Sequence, residues 1–109
     1  MKTVNVGNIK IGGNEPLALL AGPCVLEGFE RSLKIGKAIK EITTGLGIPY
    51  VFKASFDKAN RSSYSSFRGP GIEEGLKMLQ AIKDELQVPI VSDIHCVSQV
   101  EAAAEVLDI

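Results

Sequence analysis

Between residues 53 and 69 the chain reads Lys-Ala-Ser-Phe-Asp-Lys-Ala-Asn-Arg-Ser-Ser-Tyr-Ser-Ser-Phe-Arg-Gly. Four cations, Lys53, Lys58, Arg61 and Arg68, stand against one acid, Asp57. Hydroxyls and an amide fill the intervals. That mixture suits a phosphorylated, hydroxylated small molecule. Lys and Arg neutralise phosphate, Arg with a planar fork, while Ser and Asn hydrogen-bond the remaining oxygens. A basic, Ser-rich loop is also what a merely solvated connection looks like. Two features argue for more than solvation. A solvated loop has little use for Phe56 and Phe67, and structureless connections beyond about 12 residues in compact domains are usually functional or disordered.

Three further residues carry potential chemistry. Cys24 follows an apolar run and offers a thiolate to a divalent metal, or is simply a small packed residue. Asp93 stands where a third apolar run ends, as a site carboxylate or a helix cap. His95, the sole histidine, is a structural imidazole or an active-site one. Glu27 suits the first turn of a helix, where a negative charge meets the helix dipole. Arg68 reads as a structural cation that packs the long loop.

The elements that must position these residues follow from periodicity. Val4-Asn5-Val6 and Ile9-Lys10-Ile11 alternate around Gly7-Asn8, two residues that tolerate positive φ, so residues 1–13 read as a hairpin. Leu17 to Ala21 is a continuous apolar run, as in a strand covered on both faces, and Gly22-Pro23 is expected to break it. Phe29, Leu33, Ile39, Ile42 and Leu46 mark one helix face, with Lys34, Lys37, Lys40 and Glu41 toward water and Gly45 and Gly47 as the stop. Tyr50 to Lys53 reads as a second strand, and the basic loop leaves its carboxyl end. Gly69-Pro70-Gly71 closes the loop. Ile72, Leu76, Leu79, Ile82 and Leu86 form a second helical stripe, with Glu73 and Glu74 in its first turn. Val88 to Ser92 reads as a third strand with Pro near its start. Ser98 and Glu101 have capping-box spacing before an Ala-rich third helix, and Leu107-Asp108-Ile109 opens a fourth strand.

Residues 17–109 thus repeat strand and helix at intervals of roughly 30 to 40 residues, which implies an α/β fold of parallel strands with right-handed crossovers. The 109 residues amount to one domain or less. They are 45% hydrophobic with a net charge of −1. Near-neutral charge argues against nucleic acid as a bulk electrostatic partner. No apolar run reaches membrane-spanning length and no signal-peptide pattern opens the chain, so the expectation is a cytoplasmic protein without a membrane partner. Cys24 and Cys96 are then expected as free thiols.

Lys53 to Ser63 resembles the signature loop of the 3-deoxy-D-manno-octulosonate 8-phosphate synthases (2-dehydro-3-deoxyphosphooctonate aldolases). Ala21-Gly22-Pro23-Cys24 and Ser92-Asp93-Ile94-His95 resemble that family's flanking strand ends, in the same order and spacing. The sibling seven-carbon synthases carry a Pro- and Thr-rich loop after the Lys. The resemblance implies the N-terminal part of a (β/α)₈ barrel, the hairpin plus about three βα units, since a whole barrel takes about 250 residues. It implies condensation of phosphoenolpyruvate with D-arabinose 5-phosphate for lipopolysaccharide synthesis, in a homo-oligomer, a tetramer. By the same resemblance Lys53 and Lys58 are catalytic and hold phosphoenolpyruvate with Ser55, while Asn60, Arg61 and Ser62 hold the sugar phosphate. Asp93 is catalytic, paired with Lys58 to orient it, and His95 joins the substrate site. Cys24 places the chain in the metal-dependent branch (Fe, Zn, Mn or Co), whose other ligands lie later in the barrel. A chain of three βα units would leave that metal site incomplete, expose sheet edges and lack activity by itself. The alternatives are the seven-carbon synthase and a non-catalytic phosphate-binding half-barrel.

Overall fold

The computed structural model describes residues 2–58, 65 and 67–109. A hairpin pairs β1 (Thr3–Val6) antiparallel with β2 (Ile9–Gly12), with Val6 opposite Ile9. Of the two turn residues only Gly7 takes a positive φ, 58°. Three strands follow in a parallel sheet ordered β3 (Leu19–Val25), β4 (Tyr50–Ser55), β5 (Ile90–Val91). Neighbours in the sheet are neighbours in the chain, joined through α1 (Phe29–Leu46) and α2 (Ile72–Leu86). These are open (β/α) repeats without a closed barrel, as expected of the N-terminal portion of one.

The core lies between the sheet and the two helices. Tyr50, Phe52, Ala54 and Phe56 alternate onto the helix side and join Leu33 of α1 and Leu76, Leu79, Ile82 and Leu86 of α2. Every residue of the predicted α2 stripe therefore faces the core, with Ile72 at its margin. The α1 stripe is only partly right: Ile42 is 62% and Leu46 68% exposed. Gly36 takes an inward position instead, against Leu86 and Phe52. Gly45 lies inside the helix, and Gly47 ends it in the left-handed conformation. Lys40 is half-buried and donates to the Leu86 carbonyl, capping α2 from its neighbour.

Gly22-Pro23 does not break β3. Ala21 pairs with Phe52 and Cys24 with Ala54, so two residues of β3 oppose the single Lys53 of β4. This is a bulge. A side chain at position 22 would overlap the Lys53 carbonyl, which is why glycine stands there. Pro23 has no N–H to offer the ladder and sits where the ladder is already interrupted.

β5 is shorter than the run Val88 to Ser92, only Ile90–Val91. The capping box does not form. A 3₁₀ turn, Val97–Gln99, leads into a short α3 (Val100–Ala104), neither with a side-chain cap, and the Ser98 hydroxyl instead lies 3.1 Å from Cys96 Sγ. The expected fourth strand is present only as its first hydrogen bonds. Ile109 N–H donates to Ile90 O at 3.2 Å, and Ser92 N–H to Ile109 O at 3.4 Å, the alternation of a parallel pair. Asp108 anchors this return, accepting from Ile90 N–H at 2.9 Å and pairing with Lys83 at 3.0 Å.

Candidate functional site

Among the described residues, the candidates Cys24, Lys53, Ser55, Lys58, Asp93 and His95 gather at the carboxyl ends of β3, β4 and β5. On β4, residues alternate about the sheet, so Val51, Lys53 and Ser55 point away from the helix layer while their neighbours feed the core. Lys53 is exposed and Ser55 is 1% exposed. Lys58 folds back over the strand end, and its ammonium donates to Ser55 Oγ at 3.3 Å. A buried hydroxyl and a half-buried cation are thus joined where the strand meets the loop.

Cys24 lies beside them. It pairs with Ala54, Val25 pairs with Ser55, and Leu26 N–H donates to Ser55 O at 3.0 Å. Cys24 is within the bulged β3, not past its end. Its φ is 76° and it is exposed. Among the described non-glycine residues only Cys24 and Gln87 have positive φ. Gln87 is the cap of α2, whereas Cys24 owes its strain to the bulge.

From β5 come Asp93 and His95. The expected Asp93–Lys58 ion pair is not formed; Asp93 Oδ2 lies 3.6 Å from His95 Nε2. The His95 backbone N–H donates to Gln99 Oε1 at 2.8 Å, and its ring meets Phe56 edge-on, centroids 5.7 Å apart. Phe56 is fully buried. It packs His95 against the base of the basic loop, which explains an aromatic residue at that position.

Arg68 holds the loop from its other end. Its Nε donates to Asp57 Oδ1 at 2.6 Å and a terminal nitrogen to Oδ2 at 3.3 Å. Glu27 lies just ahead of α1 and pairs with Arg31 at 3.3 Å. Asn60, Arg61 and Ser62 lie outside the described residues. Among the described residues no group of three or more His, Cys, Asp or Glu could hold a metal ion. Cys24 is therefore at most one donor, and the described residues by themselves do not build a metal centre. Cys24 and Cys96 are both free thiols.

Sequence reading missed the roles of Gly22 and Asp57. Gly-Pro between two apolar stretches marks a bulge as readily as a strand end, since both residues are confined to such places within sheets. A cleft of about 320 Å³ lies on the opposite rim, lined by Gly7, Asn8, Lys83 and Pro89 among others, and holds none of the candidate residues. No described helix is long and apolar enough to cross a membrane.

The chain is 54% identical over its full length to a 2-dehydro-3-deoxyphosphooctonate aldolase of Geotalea daltonii, covering 40% of that protein. It is 56% identical over 98% of its length to the protein of that name from Syntrophotalea carbinolica, covering 39%, and 52% identical to that of Geobacter sulfurreducens, again covering 40%. The chain thus spans about two-fifths of the length of these relatives, corresponding to their N-terminal part. A family model described as the DAHP synthetase I family matches residues 1–109 without a gap at either end. Parallel repeats that bring a bulged Cys24, a Lys58–Ser55 contact and an Asp93–His95 pair to one rim are how this sequence builds the opening part of that family's fold, and the chain belongs to the DAHP synthetase I family.

Proposed function

We propose that the whole protein to which these residues belong condenses phosphoenolpyruvate with D-arabinose 5-phosphate, giving 3-deoxy-D-manno-octulosonate 8-phosphate and inorganic phosphate. C3 of phosphoenolpyruvate bonds to the aldehyde carbon of the sugar, water adds at C2, and the phosphate leaves. The observation that carries this reading is the Lys58 ammonium on the buried Ser55 hydroxyl at the carboxyl rim, beside an exposed Lys53. Two cations and a fixed hydroxyl at the end of one strand suit a small dianionic substrate, whose charge they neutralise without reorganising. Loops at that end of parallel strands are where such folds bind ligands. Relatives bearing the eight-carbon synthase name at 52–56% identity support the choice of sugar.

Within this reading Lys53 and Lys58 hold phosphoenolpyruvate, Ser55 fixes Lys58, and Asn60, Arg61 and Ser62 take the sugar phosphate. Asp93 is a carboxylate of the reacting site, with His95 Nε2 3.6 Å away, and His95 borders the substrate. Cys24 contributes one donor toward a divalent metal, its fellow ligands coming from outside these 109 residues. The protein's work is alignment and charge compensation.

The test is release of inorganic phosphate by the whole protein. Release that needs both phosphoenolpyruvate and arabinose 5-phosphate, and is lost in Lys58→Ala, is the expected result. Release that prefers a four-carbon aldose phosphate would assign the seven-carbon reaction instead. No release with either sugar would overturn both synthase readings and leave a non-catalytic phosphate-binding role.

A further inference from the structure

We infer that Asp57 and Arg68 form a positioning pair, a clasp across the base of the basic loop that holds Lys58 over Ser55. The inference rests on the proposed role of Lys58 and goes beyond it, because neither Asp57 nor Arg68 is a substrate contact in that reading.

The clasp is built from four independent contacts. The Arg68 fork takes both oxygens of the Asp57 carboxylate, at 2.6 and 3.3 Å. The Lys58 backbone N–H donates to the Arg68 carbonyl at 2.6 Å. The Gly71 N–H donates to the Phe56 carbonyl at 2.9 Å. Gly69, at φ 118°, lets the returning chain lie so close that a side chain there would strike the Phe56 carbonyl. Residues 56–58 and 68–71 therefore run side by side as one ribbon. Phe56, fully buried, fastens that ribbon to the core.

Lys58 is the residue this arrangement serves. Its backbone is held by Arg68 on one side of the residue, and its ammonium reaches Ser55 on the other. A lysine side chain has several rotatable bonds, and fixing its backbone removes the first source of wander. The planar fork matters for the same reason. Two parallel bonds to one carboxylate set an orientation, which one ammonium cannot do. A packing role alone would ask only for the alkyl stem of Arg68. A positioning role asks for the fork and for its carboxylate.

The experiment compares Arg68→Ala, Arg68→Lys and Asp57→Asn with wild type in the whole protein. Two quantities are read: hydrogen exchange at the Lys58 amide, and kcat and KM for each substrate. We expect Lys58 amide exchange to quicken about tenfold in Arg68→Ala, with the amides of Val51 and Phe52 unchanged. We expect kcat/KM for phosphoenolpyruvate to fall about tenfold or more, and Arg68→Lys to recover only a small part of it. Reversal of the pair, Asp57→Arg with Arg68→Asp, is expected to recover more than either single reversal. Faster exchange with kcat/KM within twofold of wild type would overturn the positioning role and leave a purely structural clasp. Unchanged exchange would overturn the clasp itself. If wild type proves inactive toward phosphoenolpyruvate the proposed function falls, and the exchange measurement still decides whether the clasp exists.

Discussion

Tyr50 shows how one buried polar group is accommodated at the sheet. Its hydroxyl donates to the Ala21 carbonyl at 2.8 Å, and burial pushes the phenol from 10.0 up to about 12. The unfolded chain loses this proton near pH 10 while the folded chain keeps it to about 12. The contribution is therefore intact below pH 10 and drains away as pH rises between those values. Tyr50→Phe should cost about 0.5–1.5 kcal/mol at neutral pH. It should also remove that part of the alkaline loss, which urea titrations at pH 8, 10 and 11 would read out. At the rim, Arg61→Ala should raise KM for arabinose 5-phosphate far more than KM for phosphoenolpyruvate. A charge-assisted bond to phosphate is worth about 1.5–3 kcal/mol, roughly ten- to a hundredfold; equal rises for the two substrates would contradict the sugar-phosphate assignment. Cys24→Asn in the whole protein should lower bound metal, as measured by elemental analysis, and unchanged content would remove Cys24 from the ligands.

The elements meet closely because particular glycines let them. α2 passes close to Phe56, the residue after β4, at Gly75, where a methyl group would overlap Phe56 Cβ. Gly45 of α1 faces open space. The two sites separate packing from propensity. Gly75→Ala should destabilise by about 1–3 kcal/mol, through overpacking that a helix-favouring residue cannot offset. Gly45→Ala should stabilise by about 0.5–1 kcal/mol, since only the helix interior feels it. Thermal melts of both variants check the pair of signs. The α2 stripe was readable in advance because its helix has one buried side. The α1 stripe was only half readable, since its last turn leaves Ile42 and Leu46 in water although their spacing fits the inner face.

Seen whole, the 109 residues leave apolar surface outward. Leu17 is 89% exposed, and Leu19 and Leu20 of β3 are about two-fifths exposed. Among the described residues β3 has β4 on one edge and no strand on the other. An uncovered parallel edge invites pairing with another chain. Residues 1–109 expressed by themselves should therefore self-associate and release no phosphate from phosphoenolpyruvate with arabinose 5-phosphate present. Light scattering beside the phosphate assay tests both, and a monodisperse, active monomer would refute the partial-barrel account of this chain.

Residue types and their order determined the α/β alternation, the hairpin, the α2 core face and the basic loop after β4. Each of these follows from local chemistry: period-2 or period-3.6 burial, turn residues, and a cluster of cations interleaved with two Phe. Only the tertiary structure decided what depends on residues far apart in the chain. The bulge at Gly22-Pro23 exists because β4 lies alongside and Lys53 leaves no room for a side chain. Asp57 pairs with Arg68, eleven residues away. The return of the chain at Gly69 brings that carboxylate and guanidinium together. A charge finds its partner by distance in space, which the order of residues constrains only where the chain between them is short.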